Sequence, residues 1–337
     1  TMKNKILLFS LVLILISGFP GVSIYAALNV TGQDTLTFIH VSDVHICNLK
    51  GYHPEFVQRR QHFGDGMSPF REFLATVPAK VRADMVIVTG DNVDYYEAET
   101  ESGGMLDTQI EQYVRLIDNS QVPVFLTLGN HDIASYRITP GPWSGNNQLE
   151  AGRARATWMR NVPCFKDGTY YSRVFKIDTM TFRFIFLDNG YYSTQEISDG
   201  ELNFSVDPYQ LRWLDAQLKA SPSDVEIIFM HIPLPNGKPA ENEILTEAMS
   251  DYSQKTEVYN LFSVLENNSS TAMIFGGHNH INLINRYKLP NGNLLTQVRT
   301  GAFGNDTANW RMIRITKDKI LVSRAGSTVT EYTVPLY

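Results

Sequence analysis

Aspartate, asparagine and histidine recur in five short segments of this sequence. A single segment of this kind is more often a turn than a ligand site, but five in one chain indicate shared chemistry. Imidazole and carboxylate ligands together suit iron, manganese or zinc better than calcium. The segments are Asp43-Val44-His45, Gly90-Asp91-Asn92-Val93-Asp94, Gly129-Asn130-His131-Asp132, Met230-His231 and Gly276-Gly277-His278-Asn279-His280.

These segments follow apolar runs rich in β-branched residues. Short continuous runs of this type are typical of strands that are buried on both faces. Because ligands gather at the carboxyl ends of strands in open α/β sheets, we expect the five segments to converge at one edge. The runs are Leu36 to Val41, Met85 to Thr89, Val122 to Leu128, Phe182 to Leu187, Val225 to Met230 and Ala272 to Phe275.

Helical patterns lie between the runs, and this alternation favours an α/β sheet. Ser68 and Pro69 predict the N-cap and first turn of a helix over Phe70 to Val77. Asp207 and Pro208 predict the start of another helix.

The second half of the chain adds two further expectations. Leu294 to Thr300, Met312 to Ile315 and Ile320 to Arg324 are strand-like, and they predict a second, largely antiparallel sheet. Residues from Ile138 to Gly168 are rich in Gly, Pro, Asn and Arg, and they predict a long surface excursion. Long loops of this kind often serve as lids or specificity elements.

The N-terminus has the composition of an export signal. Lys3 and Lys5 precede the apolar run Ile6 to Phe19, and small residues follow it. We predict that residues 1–27 are a signal peptide. An uncleaved membrane anchor is the alternative, because the run is near the lower limit of about 17 residues for spanning a bilayer. Either segment would place the protein outside the cytoplasm, in the periplasm, the cell envelope or the extracellular space.

The net charge of the chain argues against one class of function, binding to a nucleic-acid duplex. A net charge of -6 gives no support for binding a nucleic-acid duplex, which normally requires a basic surface. An anionic substrate would therefore be held by local positive charge, which metal ions can supply.

The cysteine content excludes a disulfide framework. The sequence contains only two cysteines, Cys47 and Cys164, and whether these two form a disulfide is left open. We predict that Cys47 is a small apolar side chain, with metal binding as the alternative.

Taken in this order, the five segments resemble the calcineurin-like metallophosphoesterase superfamily, in its exported bacterial form. Its signature is Asp-x-His, Gly-Asp-x-x-Asp, Gly-Asn-His-Asp or Glu, a lone His, and Gly-His-x-His, and the match spans Asp43 to His280. The resemblance implies an α/β fold, a four-layer α/β/β/α sandwich of two mixed sheets flanked by helices. It also implies that residues 34–337 form a single catalytic domain that cleaves phosphate esters.

The resemblance assigns the metal ligands. Asp43, His45, Asp91 and His280 would hold one ion, and Asp91, Asn130, His231 and His278 would hold a second. Two divalent or trivalent ions (Mn, Fe or Zn) about 3.5 to 4 Å apart can neutralise a phosphate and activate a water molecule. If the first segment is extended, Val44 points away, so that Asp43 and His45 share one side.

His131 would be the catalytic residue that binds no metal. The resemblance implies that it donates a proton to the leaving alkoxide or stabilises charge on the phosphate, oriented by Asp132 or Asp94. Asp94 is either a residue that orients a histidine or a plain turn carboxylate. Purple acid phosphatases, a branch of this superfamily, have tyrosine at the position of Asp94, so we expect no tyrosinate-to-iron colour.

The substrate stays open between several classes. We expect a small phosphorylated substrate, a monoester or a diester, with cyclic-nucleotide or nucleotide hydrolysis as an alternative. The loop aromatics Trp143, Tyr191 and Tyr192 could stack on a base or a sugar, and His62 could touch phosphate. The alternative hypothesis, from a different class of function, is a non-catalytic metal-binding scaffold. The sequence does not indicate the oligomeric state.

Overall fold

The computed structural model describes residues 34–47, 49–63, 66–138, 146–147, 150–190, 206–220, 225–234, 245–246, 261–268, 270–289 and 292–336. The predicted signal peptide or anchor, residues 1–27, lies outside this part of the chain, as do Trp143, Tyr191 and Tyr192. Across the described ranges, no helix has both the length and the apolar composition needed to cross a bilayer.

Most described residues belong to strands and helices that alternate along the chain. The helices are α1 (Pro54–Arg60), α2 (Met67–Val81), α3 (Gln109–Ile117), α4 (Ala151–Asn161), α5 (Pro208–Ala220) and α6 (Leu261–Glu266). The strands are β1 (Thr35–Val41), β2 (Met85–Thr89), β3 (Glu97–Glu99), β4 (Met105–Leu106), β5 (Val124–Thr127), β6 (Ser135–Tyr136), β7 (Asn146–Asn147), β8 (Tyr171–Ile177), β9 (Met180–Phe186), β10 (Val225–Phe229), β11 (Leu245–Thr246), β12 (Thr271–Gly276), β13 (Leu283–Lys288), β14 (Leu294–Arg299), β15 (Trp310–Thr316), β16 (Lys319–Ser323) and β17 (Thr330–Pro335).

Two large mixed sheets form the centre of the fold. The six-stranded sheet has the order β17-β16-β15-β1-β2-β5, and the seven-stranded sheet has the order β11-β13-β14-β12-β10-β9-β8. In the first sheet β1, β2 and β5 are parallel, and β15 to β17 are antiparallel to their neighbours. In the second sheet β9, β10, β12 and β14 are parallel. A small sheet of order β4-β3-β6-β7 lies apart from both.

The two large sheets pack face to face through aromatic side chains. Phe38 of β1 contacts Phe184, Phe229 and Phe275 of the facing sheet edge-on, with ring centroids 5.5 to 5.6 Å apart. Edge-to-face pairs at this spacing are favourable beyond the area that they bury. The sheets therefore share one hydrophobic core.

Helices cover both outer faces. On the six-stranded sheet, Tyr113 of α3 stacks on Phe70 of α2 and meets Trp158 of α4 edge-on. On the seven-stranded sheet, the apolar side of α5, with Leu211, Leu214 and Leu218, packs together with strand residues and α6. The resulting α/β/β/α order confirms the predicted four-layer sandwich.

The prediction of a separate C-terminal antiparallel sheet is wrong. Strand β14 pairs in parallel with β12, whereas β15 and β16 extend the six-stranded sheet next to β1. The apolar pattern of these segments identifies them as strands but carries no information about the strand with which each pairs.

Two other local predictions also need correction. Helix α2 begins at Met67, after Gly66 in the left-handed conformation, so Ser68 lies inside the first turn instead of capping it, and Pro69 lies in the first turn as predicted. A Cβ on Gly66 would lie 3.0 Å from the Ile46 Cα, a close approach that explains the glycine. The expected excursion from Ile138 to Gly168 contains α4, whose Trp158 is fully buried, so its second half belongs to the core.

Candidate dinuclear metal centre

The metal-ligand candidates lie where the carboxyl ends of strands from both sheets meet. In the six-stranded sheet, Asp43, Asp91 and Asn130 follow β1, β2 and β5. In the seven-stranded sheet, His231 follows β10, and His278 and His280 follow β12. This is the edge at which the sequence predicts that they converge.

The first donor group consists of Asp43, His45, Asp91 and His280. The Nε2 atoms of His45 and His280 are 3.3 Å apart. His280 Nε2 lies 3.2 Å from Asp43 Oδ1, and His45 Nε2 lies 3.6 Å from Asp91 Oδ2. These atoms surround a space of the size that one metal ion occupies.

The second donor group consists of Asp91, His231 and His278, with Asn130 beside them. His231 Nε2 lies 3.1 Å from both Asp91 Oδ2 and Asn130 Oδ1. His278 Nδ1 lies 3.0 Å from Asn130 Oδ1 and 3.3 Å from His231 Nε2. His278 and His280 therefore belong to different groups.

One carboxylate oxygen belongs to both groups. Asp91 Oδ2 faces His45 on one side and His231 on the other. The other oxygen, Oδ1, accepts a hydrogen bond of 2.9 Å from the main-chain N–H of His131. This bond orients the carboxylate and leaves Oδ2 facing the histidines of both donor groups.

The chemistry of the donors fits metal cations. His231 Nδ1–H donates to the Thr89 carbonyl at 2.8 Å, so the neutral ring presents a lone pair at Nε2. Among the residues that the structure describes, that lone pair faces acceptor atoms, which are oxygens of Asp91 and Asn130 and a ring nitrogen of His278. Acceptors that converge in a buried space require a cation between them.

The pKa shifts of Asp91 and His231 also support a cation at this site. Burial alone would raise the pKa of Asp91, but His231, His131 and His45 outweigh it and hold that pKa well below its usual range. Burial alone would lower the pKa of His231, but the Asp91 carboxylate raises it to about 9. The site around Asp91 and His231 therefore favours a positive charge. A bound metal ion would supply that charge in place of a proton.

A family model of calcineurin-like phosphoesterases matches residues 36–282. The chain belongs to this family. It is a metallophosphoesterase, a metal-dependent hydrolase of phosphoric ester bonds. The clustered aspartates and histidines indicate a dinuclear metal site within it.

Solved structures show the same fold at low sequence identity. A dimetal phosphatase from Danio rerio aligns with a TM-score of 0.57 and 16% identity, covering 90% of this chain and 99% of that one. The structure of PhoD aligns with a TM-score of 0.51 and 11% identity, covering 90% of this chain and 68% of that one. A comparison with curated proteins finds no match.

The backbone of the phosphoesterase site is strained, which sequence reasoning missed. Asp43 and His45 have φ of 53° and 49°, so the first segment is not extended as predicted. They nevertheless share one side, and Val44 is fully buried in the core. Asp91, His278 and His280 also have positive φ. Such conformations cost about 1–3 kcal/mol each and persist at functional sites that the surrounding structure holds in place.

Glycines in the motifs allow the close approach of neighbouring chains. A Cβ on Gly277 would lie 2.2 Å from Asp43 Oδ2, and one on Gly129 would lie 2.2 Å from Asp91 Oδ1. Any larger residue at either position would displace a carboxylate ligand.

His131 lies beside the donor groups and is held by Asp94. Its Nδ1–H donates to the main-chain carbonyl of Asp94 at 2.6 Å, and its side chain is 17% exposed. Burial lowers the pKa of His131. The orienting contact expected from Asp132 or Asp94 thus comes from Asp94, through its backbone.

Asp132 has a different position from the one expected of a catalytic residue. Its carboxylate accepts hydrogen bonds from Val93 N–H, Gly129 N–H and Asn92 Nδ2, at 2.7 to 3.0 Å. Burial and the charge of Asp91 raise the pKa of this carboxyl. Asp132 therefore ties together the two loops that carry Asp91 and Asn130, and the assignment of Asp132 as a residue that orients His131 is corrected.

Sequence reasoning missed Asn189, which supports the second donor group. Asn189 Oδ1 accepts from the N–H groups of His231 and Ile232, at 2.9 and 3.1 Å, and its Nδ2 donates to the Ile232 carbonyl. The signal was present, since Asn189 follows a predicted strand as the metal ligands do, but it lies outside every motif.

The remaining candidates are the two cysteines and His62, whose contact with phosphate stays a prediction. Cys47 and Cys164 are buried free thiols, so the open disulfide is not formed. Cys47 packs with aromatic residues in a small cluster, as predicted for an apolar side chain. His62 is exposed, and its Nδ1 lies 3.0 Å from the Arg59 carbonyl.

Proposed function

We propose that this phosphoesterase hydrolyses small phosphate esters with two ions, of which each donor group would hold one, with Asp91 Oδ2 as the ligand atom common to both groups. The observation that carries the proposal is the position of this oxygen, 3.6 Å from His45 Nε2 and 3.1 Å from His231 Nε2. Such a pair of ions neutralises the phosphate and supplies a nucleophile near neutral pH. The mixed imidazole and carboxylate ligands suit manganese, iron or zinc.

The residues around the ions prepare the site for the reaction. Seven side chains from both sheets hold the ligand atoms before substrate arrives, and buried hydrogen bonds fix several of them. Because little reorganisation is needed, the electrostatic stabilisation of the transition state is larger than it would be in water.

His131 is the proton donor in this proposal. With Nδ1–H held by the Asp94 carbonyl, the free Nε2 is the ring nitrogen that can face the substrate. Burial favours the neutral ring, whereas a negatively charged ester beside it favours the protonated one. A proton passed from Nε2 to the leaving oxygen avoids release of a free alkoxide. Such general acid catalysis is typically worth about 10²–10⁴-fold.

We further propose that the enzyme acts outside the cytoplasm on a small phosphorylated substrate. The export-type composition of residues 1–27 supports the location, and the net charge of -6 argues against a nucleic-acid duplex as substrate. Monoesters, diesters and nucleotides all meet the chemical requirement of the site. A non-catalytic scaffold is disfavoured because every predicted ligand position is intact.

Hydrolysis of a generic aryl phosphate tests the proposal. Purified protein stripped with a chelator and reloaded with Mn²⁺ should hydrolyse an aryl phosphate monoester or diester, and the stripped protein should not. A panel that adds cyclic nucleotides and nucleotide sugars would then define the substrate class. Protein that binds two Mn²⁺ ions but leaves all of these esters intact would support the scaffold instead.

A further inference from the structure

The guanidinium of Arg60 clamps the carboxylate of Asp94. Arg60 ends helix α1, and its Nε donates to Asp94 Oδ2 at 2.7 Å while its Nη2 donates to Asp94 Oδ1. Asp94 is fully buried, and the Arg60 side chain is 16% exposed. A bidentate, charge-assisted ion pair of this kind fixes the plane of the carboxylate as well as its position.

Asp94 in turn contacts two histidines of the site. Its Oδ1 lies 3.3 Å from His45 Nδ1, and its main-chain carbonyl accepts from His131 Nδ1–H. A carboxylate at Nδ1 favours the tautomer with hydrogen on that nitrogen, which leaves the His45 Nε2 lone pair facing the first donor group. The side chain of Asp94 therefore acts on a metal ligand, and its backbone acts on the proton donor.

Aromatic rings hold this arrangement in place. The Phe63 ring stacks on the His45 imidazole at 4.3 Å, with the two planes 16° apart. The Arg60 guanidinium lies 4.8 Å from the Phe63 ring centroid and 5.4 Å from that of Tyr95. These contacts restrict both the ligand and the clamp to one geometry.

We propose that Arg60 is a positioning residue for the first metal ion, acting through Asp94 on His45. The inference rests on the proposed function, since it requires two separate ions. Loss of a residue that orients a metal ligand typically weakens metal binding about 10–100-fold. The effect should be confined to the first ion, because His231 in the second group is fixed independently by Thr89 and Asn189.

Metal titration of Arg60→Met tests this inference without relying on turnover. Chelator-stripped wild type and variants are titrated with Mn²⁺ by calorimetry, and free Mn²⁺ is counted by electron paramagnetic resonance. Wild type should bind two ions. Arg60→Met should bind the first ion about 10–100-fold more weakly than wild type and the second ion with wild-type affinity. Arg60→Lys keeps the positive charge but cannot form two parallel hydrogen bonds to one carboxylate, so its affinity for the first ion should lie between those of wild type and Arg60→Met.

Arg59→Met is the matched control, because Arg59 is the neighbouring residue on α1 but forms an exposed ion pair with Glu55. It should bind both ions as wild type does. The ¹⁵N spectrum of histidine-labelled, zinc-loaded protein gives a second readout, in which Arg60→Met should lose the Nδ1–H signal of His45.

The outcomes separate the two proposals. If wild type binds two ions and Arg60→Met binds both equally well, or loses both equally, the positioning role is refuted and the proposed function stands. If wild type binds fewer than two ions, the proposed function itself fails. Should Arg60→Met not fold, as judged by circular dichroism, Arg60→Lys decides by the same criterion.

Discussion

A buried histidine between the two sheets should make the protein sensitive to acid. His40 of β1 is fully buried, with Nδ1 at 2.7 Å from the Thr300 hydroxyl and Nε2 at 2.9 Å from the Thr89 hydroxyl. Burial, together with the positive charge of Arg311, lowers its pKa to about 3. The folded protein therefore keeps His40 neutral at pH values where the unfolded chain binds a proton.

The size of the effect follows from proton linkage. With a pKa near 6.5 when unfolded and about 3 when folded, His40 binds more protons in the unfolded state between these two values. Stability from this group is therefore complete above pH 6.5 and is lost as the pH falls towards 3. Each pH unit below 6.5 costs about 1.4 kcal/mol, so the loss between pH 7 and pH 5 is about 2 kcal/mol.

Urea unfolding of wild type and His40→Gln measures this loss. Both proteins are unfolded at pH 7 and pH 5 in a chelator, so that release of metal does not contribute. The fall in unfolding free energy should be about 2 kcal/mol smaller in His40→Gln, since glutamine can hydrogen-bond both threonines but does not titrate. An equal fall in the two proteins would show that His40 is not held neutral in the folded state.

Three substitutions probe the site itself. Asp91→Asn should lose both ions and all hydrolysis, as metal analysis would show; retention of two ions would contradict the bridging role. His131→Ala should keep both ions but lose about 10²–10⁴-fold in kcat, and near wild-type turnover would exclude it as the proton donor. Asn189→Ala leaves buried N–H groups unpaired, so it should lower stability by about 2 kcal/mol or more and weaken the second ion, unlike exposed Asn161→Ala.

The sequence predicted the parts of this fold that local patterns determine. Each of the central strands lies within about two residues of its predicted bounds, because continuous apolar runs are required for strands that are buried on both faces. The family resemblance carried by the polar segments after these strands identified the seven ligand candidates, and the structure brings all of them together. Asp207 and Pro208 also begin α5 as predicted, with Asp207 Oδ1 accepting from the Tyr209 N–H.

What the sequence did not predict depends on contacts between distant residues. Strand β14 pairs with β12, although β13 lies between the two strands in the sequence. The positive φ of Asp43 and His45 is held by hydrogen bonds to the Gly90 and Asp91 carbonyls, which no periodicity reveals. Arg60 belongs to no recognisable motif, because its contact with Asp94 depends on where helix α1 lies in the folded protein.

Diffraction from crystals soaked with Mn²⁺, measured at the manganese absorption edge, would locate the two proposed ions. Two ions that share Asp91 Oδ2 as a ligand should give two anomalous peaks about 3.5 to 4 Å apart, one on each side of this oxygen. A single peak, or two peaks too far apart for one carboxylate oxygen to bridge, would contradict this arrangement.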